Sequence, residues 1–309
     1  MEAIIVLCKA LMYAACFLVI ITRAFVNAAL FTIRDSFELN DDAEPGDERV
    51  CRKRENIESW SVSMPGAGFL LPYQLGICMA LHAHGVPIAH AAGSSSGSLA
   101  AALLTLAPHR SKEMSSMVSS YAAQGHGATL SFRLIPKLRE ILEQILPLDS
   151  HTLATGRLFV SVTRLPDGQN RIISDFDTRE ELIQVLLASC LFPFYSGISG
   201  ICYRGEMYCD GGFTDNQPFP KLAQPCGVSA SQGLISVSPF EGTQAICPRG
   251  ICPTDGRILR YAGLDFKMGM ANLQRLWHAL FPPSREKLEL YFEDGYRDAM
   301  DFLEQIKAH

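Results

Sequence analysis

Residues 86–98 read Val-Pro-Ile-Ala-His-Ala-Ala-Gly-Ser-Ser-Ser-Gly-Ser. The run from Val86 to Ala92 is strand-like. The alanine- and leucine-rich stretch from Ser98 to Leu106 reads as a helix. Between them stands Gly93-Ser94-Ser95-Ser96-Gly97. A strand entering a helix through Gly-x-Ser-x-Gly is a nucleophile elbow, a tight turn that exposes its central serine. Only Ser95 has glycine two residues before and two after; Ser94, Ser96 and Ser98 do not. At those two positions a Cβ would collide with neighbouring backbone. A Gly/Ser loop alone is usually only a loop; the flanking strand and helix reverse that reading. The helix N-terminus also favours negative charge developing near Ser95.

Working outward, Ser59 to Met64 reads as a short strand and Pro72 to Gly85 as a helix carrying Leu75, Cys78, Met79 and Leu81. Leu134 to Leu146 is a second helix, with Leu138, Ile141, Leu142 and Ile145 on one face. Leu158 to Arg164 and Asn170 to Asp175 flank Pro166-Asp167-Gly168, the signal for a hairpin. Arg179 to Ala188 is helical, and Ile235 to Val237 is a short apolar strand. Strands alternating with helices predict an α/β fold with a mainly parallel sheet covered on both faces.

Two further turns carry chemistry. Pro65-Gly66-Ala67-Gly68-Phe69-Leu70 lies between a strand and a helix. Acyl transfer needs backbone N–H donors aimed at a developing oxyanion, and small residues let them approach. A dinucleotide loop is the rival, but Gly-x-Gly-x-x-Gly would need glycine where Leu71 stands. Cys209-Asp210-Gly211-Gly212 follows the strand Glu206 to Cys209, and its paired glycines let the carboxylate approach another loop closely. A Ser-His-Asp triad would need a placed histidine, and only His278 and His309 follow Asp210. Neither stands in a loop after a strand. A Ser95–Asp210 dyad needs no histidine.

Composition bounds the rest. The chain has 309 residues, 48% hydrophobic and 19% charged, which permits a sizeable core and excludes a disordered composition. A net charge of −5 with no basic stripe argues against nucleic acid as partner. Ten scattered cysteines, with no histidine pair at zinc spacing after Cys247 and Cys252, read as reduced, mostly buried thiols in a cytosolic body. Residues 3–33 are apolar apart from Lys9 and Arg23. The uncharged core, Ala10 to Thr22, is shorter than the roughly 20 residues a bilayer span needs, but snorkelling of Lys9 or Arg23 lengthens it. A cleaved signal peptide competes, with small residues at Val26-Asn27-Ala28. No basic residue precedes the apolar run, which favours an uncleaved anchor. Asp35 to Glu58 holds nine acidic and four basic residues around Pro45-Gly46 and reads as a solvated linker. The expected organisation is a membrane segment 1–34, a linker 35–58, a catalytic core 59–225 and a C-terminal extension 226–309 packed on it.

These elements, in this order, resemble the patatin-like phospholipases, and in particular the adipose triglyceride lipase and adiponutrin branch. The branch's Gly-Cys-Gly-Phe-Leu turn is matched by Gly66-Ala67-Gly68-Phe69-Leu70, with Tyr73 and Gly76 beyond it. Its elbow is matched by Gly93, Ser95 and Gly97, and its Asp-Gly-Gly by Asp210-Gly211-Gly212. Ser174-Asp175-Phe176, Glu181-Leu182-Ile183-Gln184, Ala188-Ser189-Cys190, Val237-Ser238-Pro239-Phe240 and Gly295-Tyr296-Arg297-Asp298 are similar too, so the likeness covers roughly residues 59–303.

The resemblance implies a three-layer α/β/α fold and a Ser95–Asp210 dyad, with Gly66, Ala67 and Gly68 as oxyanion hole and Gly93 and Gly97 building the elbow. It implies acyl-ester hydrolysis without metal or cofactor, on an acylglycerol or phospholipid substrate. The expected place is an endoplasmic reticulum or lipid droplet surface, with the catalytic part cytosolic. An activating protein has no readable signature. The alternatives within this fold are a phospholipase A, a retinyl-ester hydrolase or an acyltransferase. Outside catalysis the rival is a lipid-surface scaffold, against which the intact Ser95, Asp210 and both glycine turns count. Leu71-Pro72 departs from the branch, which has glycine just after the oxyanion turn. The apolar lining is expected from Phe69, Leu70, Leu71 and the loop Leu191-Phe192-Pro193-Phe194.

Overall fold

In a computed structural model, residues 58–124, 133–165, 167–193, 196, 200–218, 232–253 and 257–307 are described. The expected anchor 1–34, all of the linker but its last residue, and His126, Phe194, Cys226 and His309 lie outside the described residues. The chain opens on β1 (Ser59–Met64), turns through a 3-10 segment at Gly68–Leu70, and enters helix α1 (Leu71–Ala83). Pro72 sits in the first turn of α1, where its missing N–H breaks no bond. Strand β2 (Ile88–Ser94) then runs into helix α2 (Ser96–Leu106). Helices α3 (Ser111–Ala123), α4 (Leu134–Ile145) and α5 (Ser150–Ala154) lead to the hairpin β3 (Leu158–Leu165) and β4 (Asn170–Ile173). Helix α6 (Arg179–Ser189), β5 (Ile201–Tyr203) and β6 (Glu206–Asp210) complete the middle of the chain. Thr178 caps α6 by accepting from the Glu181 N–H, the N-cap pattern for a threonine.

The sheet runs β5-β6-β3-β2-β1 and ends on β7 (Gln232–Ser236), with β4 also paired to β3. It is mixed, which corrects the expectation of a mainly parallel sheet. The pairs β7–β1, β1–β2 and β2–β3 are parallel, whereas β3–β4, β3–β6 and β5–β6 are antiparallel. The physical reason is connection length. Helices bridge β1 to β2 and β2 to β3, whereas the β3–β4 and β5–β6 turns are tight and reverse the chain. The stretch after 226 supplies the edge strand β7, so it contributes to the sheet itself as well as packing on it.

Central strands bury both faces: Val62 and Met64 on one side of β1, and Ser61 and Ser63 on the other, are almost wholly inaccessible. Helix α1 is buried on nearly every side because a second helix, α8 (Arg285–Lys307), lies across it. Two glycines set that crossing. A Cβ on Gly76 would sit 2.0 Å from the Phe292 carbonyl oxygen, and one on Gly295 would sit 1.9 Å from that of Tyr73. The Tyr73 hydroxyl donates to Asp298 at 2.6 Å across the same contact. The remaining elements are a small hairpin, β8 (Ile258–Tyr261) with β9 (Leu264–Lys267), followed by helix α7 (Met270–Leu280).

Candidate active site

Strand β3 acts as the ruler of the site. Its register sets Ser161 opposite Ser94 of β2 and Val162 opposite Asp210 of β6. The residue after β2 and the last residue of β6 therefore meet at one end of the sheet. Ser95 takes φ 50 and ψ −130, a left-handed backbone that a non-glycine residue adopts only when its surroundings enforce it. The surroundings are specific. A Cβ on Gly93 would lie 2.3 Å from the Gly97 carbonyl oxygen, and one on Gly97 would lie 2.2 Å from that of Met64. Both elbow glycines are thus required by close backbone approach.

Ser189, at the end of α6, fixes the turn. Its hydroxyl accepts the Ser95 N–H at 2.8 Å and donates to the Ser161 carbonyl at 2.8 Å. Ser98 Oγ donates to the Ser95 carbonyl at 2.6 Å.

Asp210 is almost completely buried beside Ser95, whose side chain favours its charged form. Its Oδ1 also accepts the Gly212 N–H at 2.7 Å. Burial pushes its carboxyl up to about 6, against the opposing pull of the Ser95 side chain and the Gly212 N–H. A carboxylate so placed is a stronger base than an exposed aspartate, and it sits on the serine it would deprotonate. Gly211 is needed here as well, since a Cβ would meet the Ser161 carbonyl at 2.2 Å. Burial and the Asp210 charge together raise the neighbouring thiols of Cys190 and Cys209, the latter to about 11, so both stay protonated.

The glycine turn after β1 lies against the elbow, and a Cβ on Gly66 would come within 2.8 Å of Ser95 Cβ. Its three amides are not equivalent. The Gly66 N–H donates to Asn216 Oδ1 at 3.0 Å, and the Ala67 N–H donates to Ser96 Oγ at 2.9 Å. The Gly68 N–H has no partner among the described residues. Gly68 has φ +53, and a side chain there would strike the Ala279 carbonyl oxygen of α7 at 2.1 Å.

Ser95 and Asp210 open onto one cavity of about 770 Å³, lined mainly by apolar side chains. Phe69, Leu71 and Phe192 line it as expected; Leu70 and Leu191 instead belong to the core. The longer part of the lining was not anticipated. It comes from Leu134 and Leu138 of α4 and from the β8–β9 hairpin and α7. His278 does not line this cavity, and its Nδ1 is 2.8 Å from the Tyr291 hydroxyl. The six described cysteines are free, and all but Cys202 are buried. Among the described residues no group of three His, Cys, Asp or Glu side chains could hold a metal ion.

Ser189 and Asn216 are the positioning residues that motif reading does not single out as functional. Asn216 clamps Gly66 from both sides, its Nδ2 donating to the Gly66 carbonyl at 3.3 Å. The signal for Ser189 lay in the Ala188-Ser189-Cys190 match, without a role attached.

A strained serine on a strand-to-helix elbow, with its aspartate at the end of a neighbouring strand, defines a nucleophile-elbow α/β protein. Within that class the chain belongs to the patatin-like phospholipase family, whose model matches residues 62–223. It is 36% identical over 252 residues to patatin-like phospholipase domain-containing protein 4 of Homo sapiens, covering 79% of this chain and 96% of that one. It is 37% identical over 257 residues to the omega-hydroxyceramide transacylase of Homo sapiens, covering 80% of this chain and 46% of that one. With the Homo sapiens 1-acylglycerol-3-phosphate O-acyltransferase PNPLA3 it shares 34% over 254 residues, covering 80% and 51%. The chain therefore spans about half the length of the latter two.

Proposed function

We propose that this chain cleaves fatty-acyl esters of acylglycerol or phospholipid type through an acyl-enzyme on Ser95. The observation that carries the proposal is that Ser95 and the buried Asp210 meet at the wall of one large apolar cavity. Ser95 Oγ attacks the ester carbonyl while its proton passes to Asp210. The carbonyl oxygen takes the negative charge and is met by the glycine turn, with the Gly68 N–H as the donor left open there. Gly66 and Ala67 hold the turn in place through Asn216 and Ser96. Collapse of the tetrahedral species breaks the ester C–O bond, and Asp210 returns the proton to the departing alcohol. Water then attacks the acyl-enzyme with Asp210 again as base, releasing a fatty acid and restoring Ser95.

Transfer to an acceptor alcohol uses the same acyl-enzyme, with the alcohol replacing water in the second half. The names of two relatives, a transacylase and an acyltransferase, favour keeping that outcome in the same proposal. Residues 1–34 are assigned in it to holding the enzyme on an endoplasmic reticulum or lipid droplet surface with the catalytic part in the cytosol. Among the described residues no helix is long and apolar enough to cross a membrane. Alkaline carbonate extraction with N-terminal sequencing tests this. A mature chain beginning at Ala29 would overturn it.

The catalytic proposal is tested by incubating the full chain with radiolabelled triolein or dioleoyl phosphatidylcholine, with and without an added long-chain alcohol. Labelled oleic acid, or labelled ester of the added alcohol, supports it. Absence of both, with the purified chain folded, refutes it.

A further inference from the structure

Helix α7 is built the wrong way round for a helix of a water-soluble surface. Two of its polar residues, Asn272 and Arg275, are buried, while Met270, Leu273 and Trp277 stand 78, 49 and 52% exposed. Those three recur at i, i+3 and i+7, so they form one stripe along the helix. The buried polar groups are fully occupied. Asn272 Nδ2 donates to the Glu241 and Lys267 carbonyls, and Arg275 Nη1 donates to the Pro239 carbonyl. The helix is therefore locked in this orientation, and the apolar stripe faces outward by construction. Trp277 is backed by Phe281, ring centroids 4.3 Å apart, which stiffens the stripe.

The patch extends beyond the helix. Met268 is 43% exposed and Ile258 44% exposed, and the Met268 N–H donates to the Arg257 carbonyl at 2.7 Å. Residues 254–256 lie outside the described residues. Met268, Met270 and Leu273 also line the cavity that holds Ser95 and Asp210. The outward stripe is thus continuous with the inside of the proposed catalytic cavity. At its edge the exposed Arg257 has no ion-pair partner among the described residues.

We infer that the outer face of α7, with Ile258 and Met268 of the adjoining hairpin, is the surface by which the enzyme docks on a phospholipid-coated lipid surface. The inference rests on the acyl-ester reading of the cavity. Its occupant follows from two observations. The same apolar surface that meets solvent runs into the cavity, so an acyl chain entering from a lipid layer never crosses water. The exposed Arg257, without an ion-pair partner among the described residues, is placed to meet lipid phosphate. A tryptophan and methionines at that level suit the boundary between acyl chains and headgroups.

The chain contains two tryptophans, Trp60 and Trp277, and Trp60 is packed on Phe302. Tryptophan emission of the full Ser95→Ala chain, with Ser95→Ala/Trp277→Phe subtracted, therefore reports the stripe alone. Added phosphatidylcholine vesicles should shift that emission to the blue, and brominated acyl chains should quench it. In the active chain, Trp277→Gln combined with Ile258→Gln should lose about tenfold in rate on a triolein emulsion, the loss expected for roughly one buried side chain. It should keep its rate on a soluble butyrate ester, because neither side chain lines the cavity. Unchanged emission and no quenching would overturn the inference. So would Trp277 emission already blue without lipid, which means that a second copy or the 1–34 segment covers the stripe. Because quenching is read in a variant without the nucleophile, its failure leaves the esterase proposal standing. Quenching without any ester cleavage by the active chain would instead remove the catalytic reading and leave the docking surface.

Discussion

The elbow end of the sheet and the hairpin-to-α7 flank face each other across one cavity, and they are built on opposite rules. At the elbow every degree of freedom is spent. Gly93, Gly97 and Gly211 abut backbone oxygens, Ser189 holds the Ser95 amide, and Asp210 is buried but for its edge on the cavity. On the α7 flank Asn272 and Arg275 point inward while Met270, Leu273 and Trp277 stand exposed. One wall is arranged to hold a strained serine beside a carboxylate, and the other to meet something apolar. Rigidity belongs where bonds break, and exposed apolar surface belongs where substrate arrives.

The contrast predicts that point changes at the elbow end cost chemistry or folding, in graded amounts. Ser95→Ala and Asp210→Asn should each lower kcat/KM by about 10³-fold or more with the fold retained, as removal of a nucleophile or its base does elsewhere. His278→Ala should keep nearly all activity, since its ring is engaged with Tyr291. Strong loss at His278 with mild loss at Asp210 would break the dyad assignment.

Gly97→Ala should cost about 3 kcal/mol or more of stability, because its Cβ would meet backbone that cannot step aside. Thermal melts of the purified variant measure it. A near-normal melting temperature would mean that the elbow is softer than described.

The burial of Asp210 has two pH consequences. Its folded carboxyl titrates near 6, above its ordinary value of 3.8, so the folded state binds the extra proton between those values. Stability contributed by this group is therefore full below about 3.8 and lost as pH rises through 6. Asp210→Asn should abolish that slope and be more stable at pH 8, by up to about 3 kcal/mol, while being inactive. The activity of the unmodified chain should fall about tenfold per pH unit below 6 on a soluble ester, as the base becomes protonated.

Ser189→Ala is the mildest of these changes. It leaves the Ser95 N–H without its acceptor and should cost about tenfold in kcat with little change in KM. Ser189→Thr should recover part of that loss.

The same contrast explains what could be read from the sequence. The elbow was legible because each part has a local signature: a strand, two glycines at fixed spacing and a small-residue helix. Helix α6 was legible too, and the hairpin β3–β4 was legible from its turn. Helix α3 was not, since Ser111, Ser115 and Ser119 are buried in it and serine ordinarily marks caps and turns. Helix α8 carries a clear 3.6-residue pattern, with Leu288, Tyr291, Phe292, Gly295, Ala299, Phe302 and Leu303 buried, and is readable in principle. Helix α7 misleads, because the usual rule of apolar residues inward fails for Met270, Leu273 and Trp277 outside and for Asn272 and Arg275 inside. The positioning roles of Ser189 and Asn216 were out of reach for another reason. They act on backbone 94 and 150 residues away, and no local pattern encodes such a meeting. The antiparallel pairs β3–β6 and β5–β6 were missed because strand direction depends on which neighbours pair, beyond the alternation of elements.

The most direct test of the dyad is to catch the acyl-enzyme. The full chain is mixed with excess p-nitrophenyl butyrate, quenched in acid at short times, digested and mapped by mass spectrometry. The account predicts a butyryl group on Ser95, formed in step with a burst of nitrophenol and absent from Asp210→Asn within the same interval. A butyryl group on Ser94, Ser96 or any other residue, or turnover with Ser95 unmodified, would contradict it.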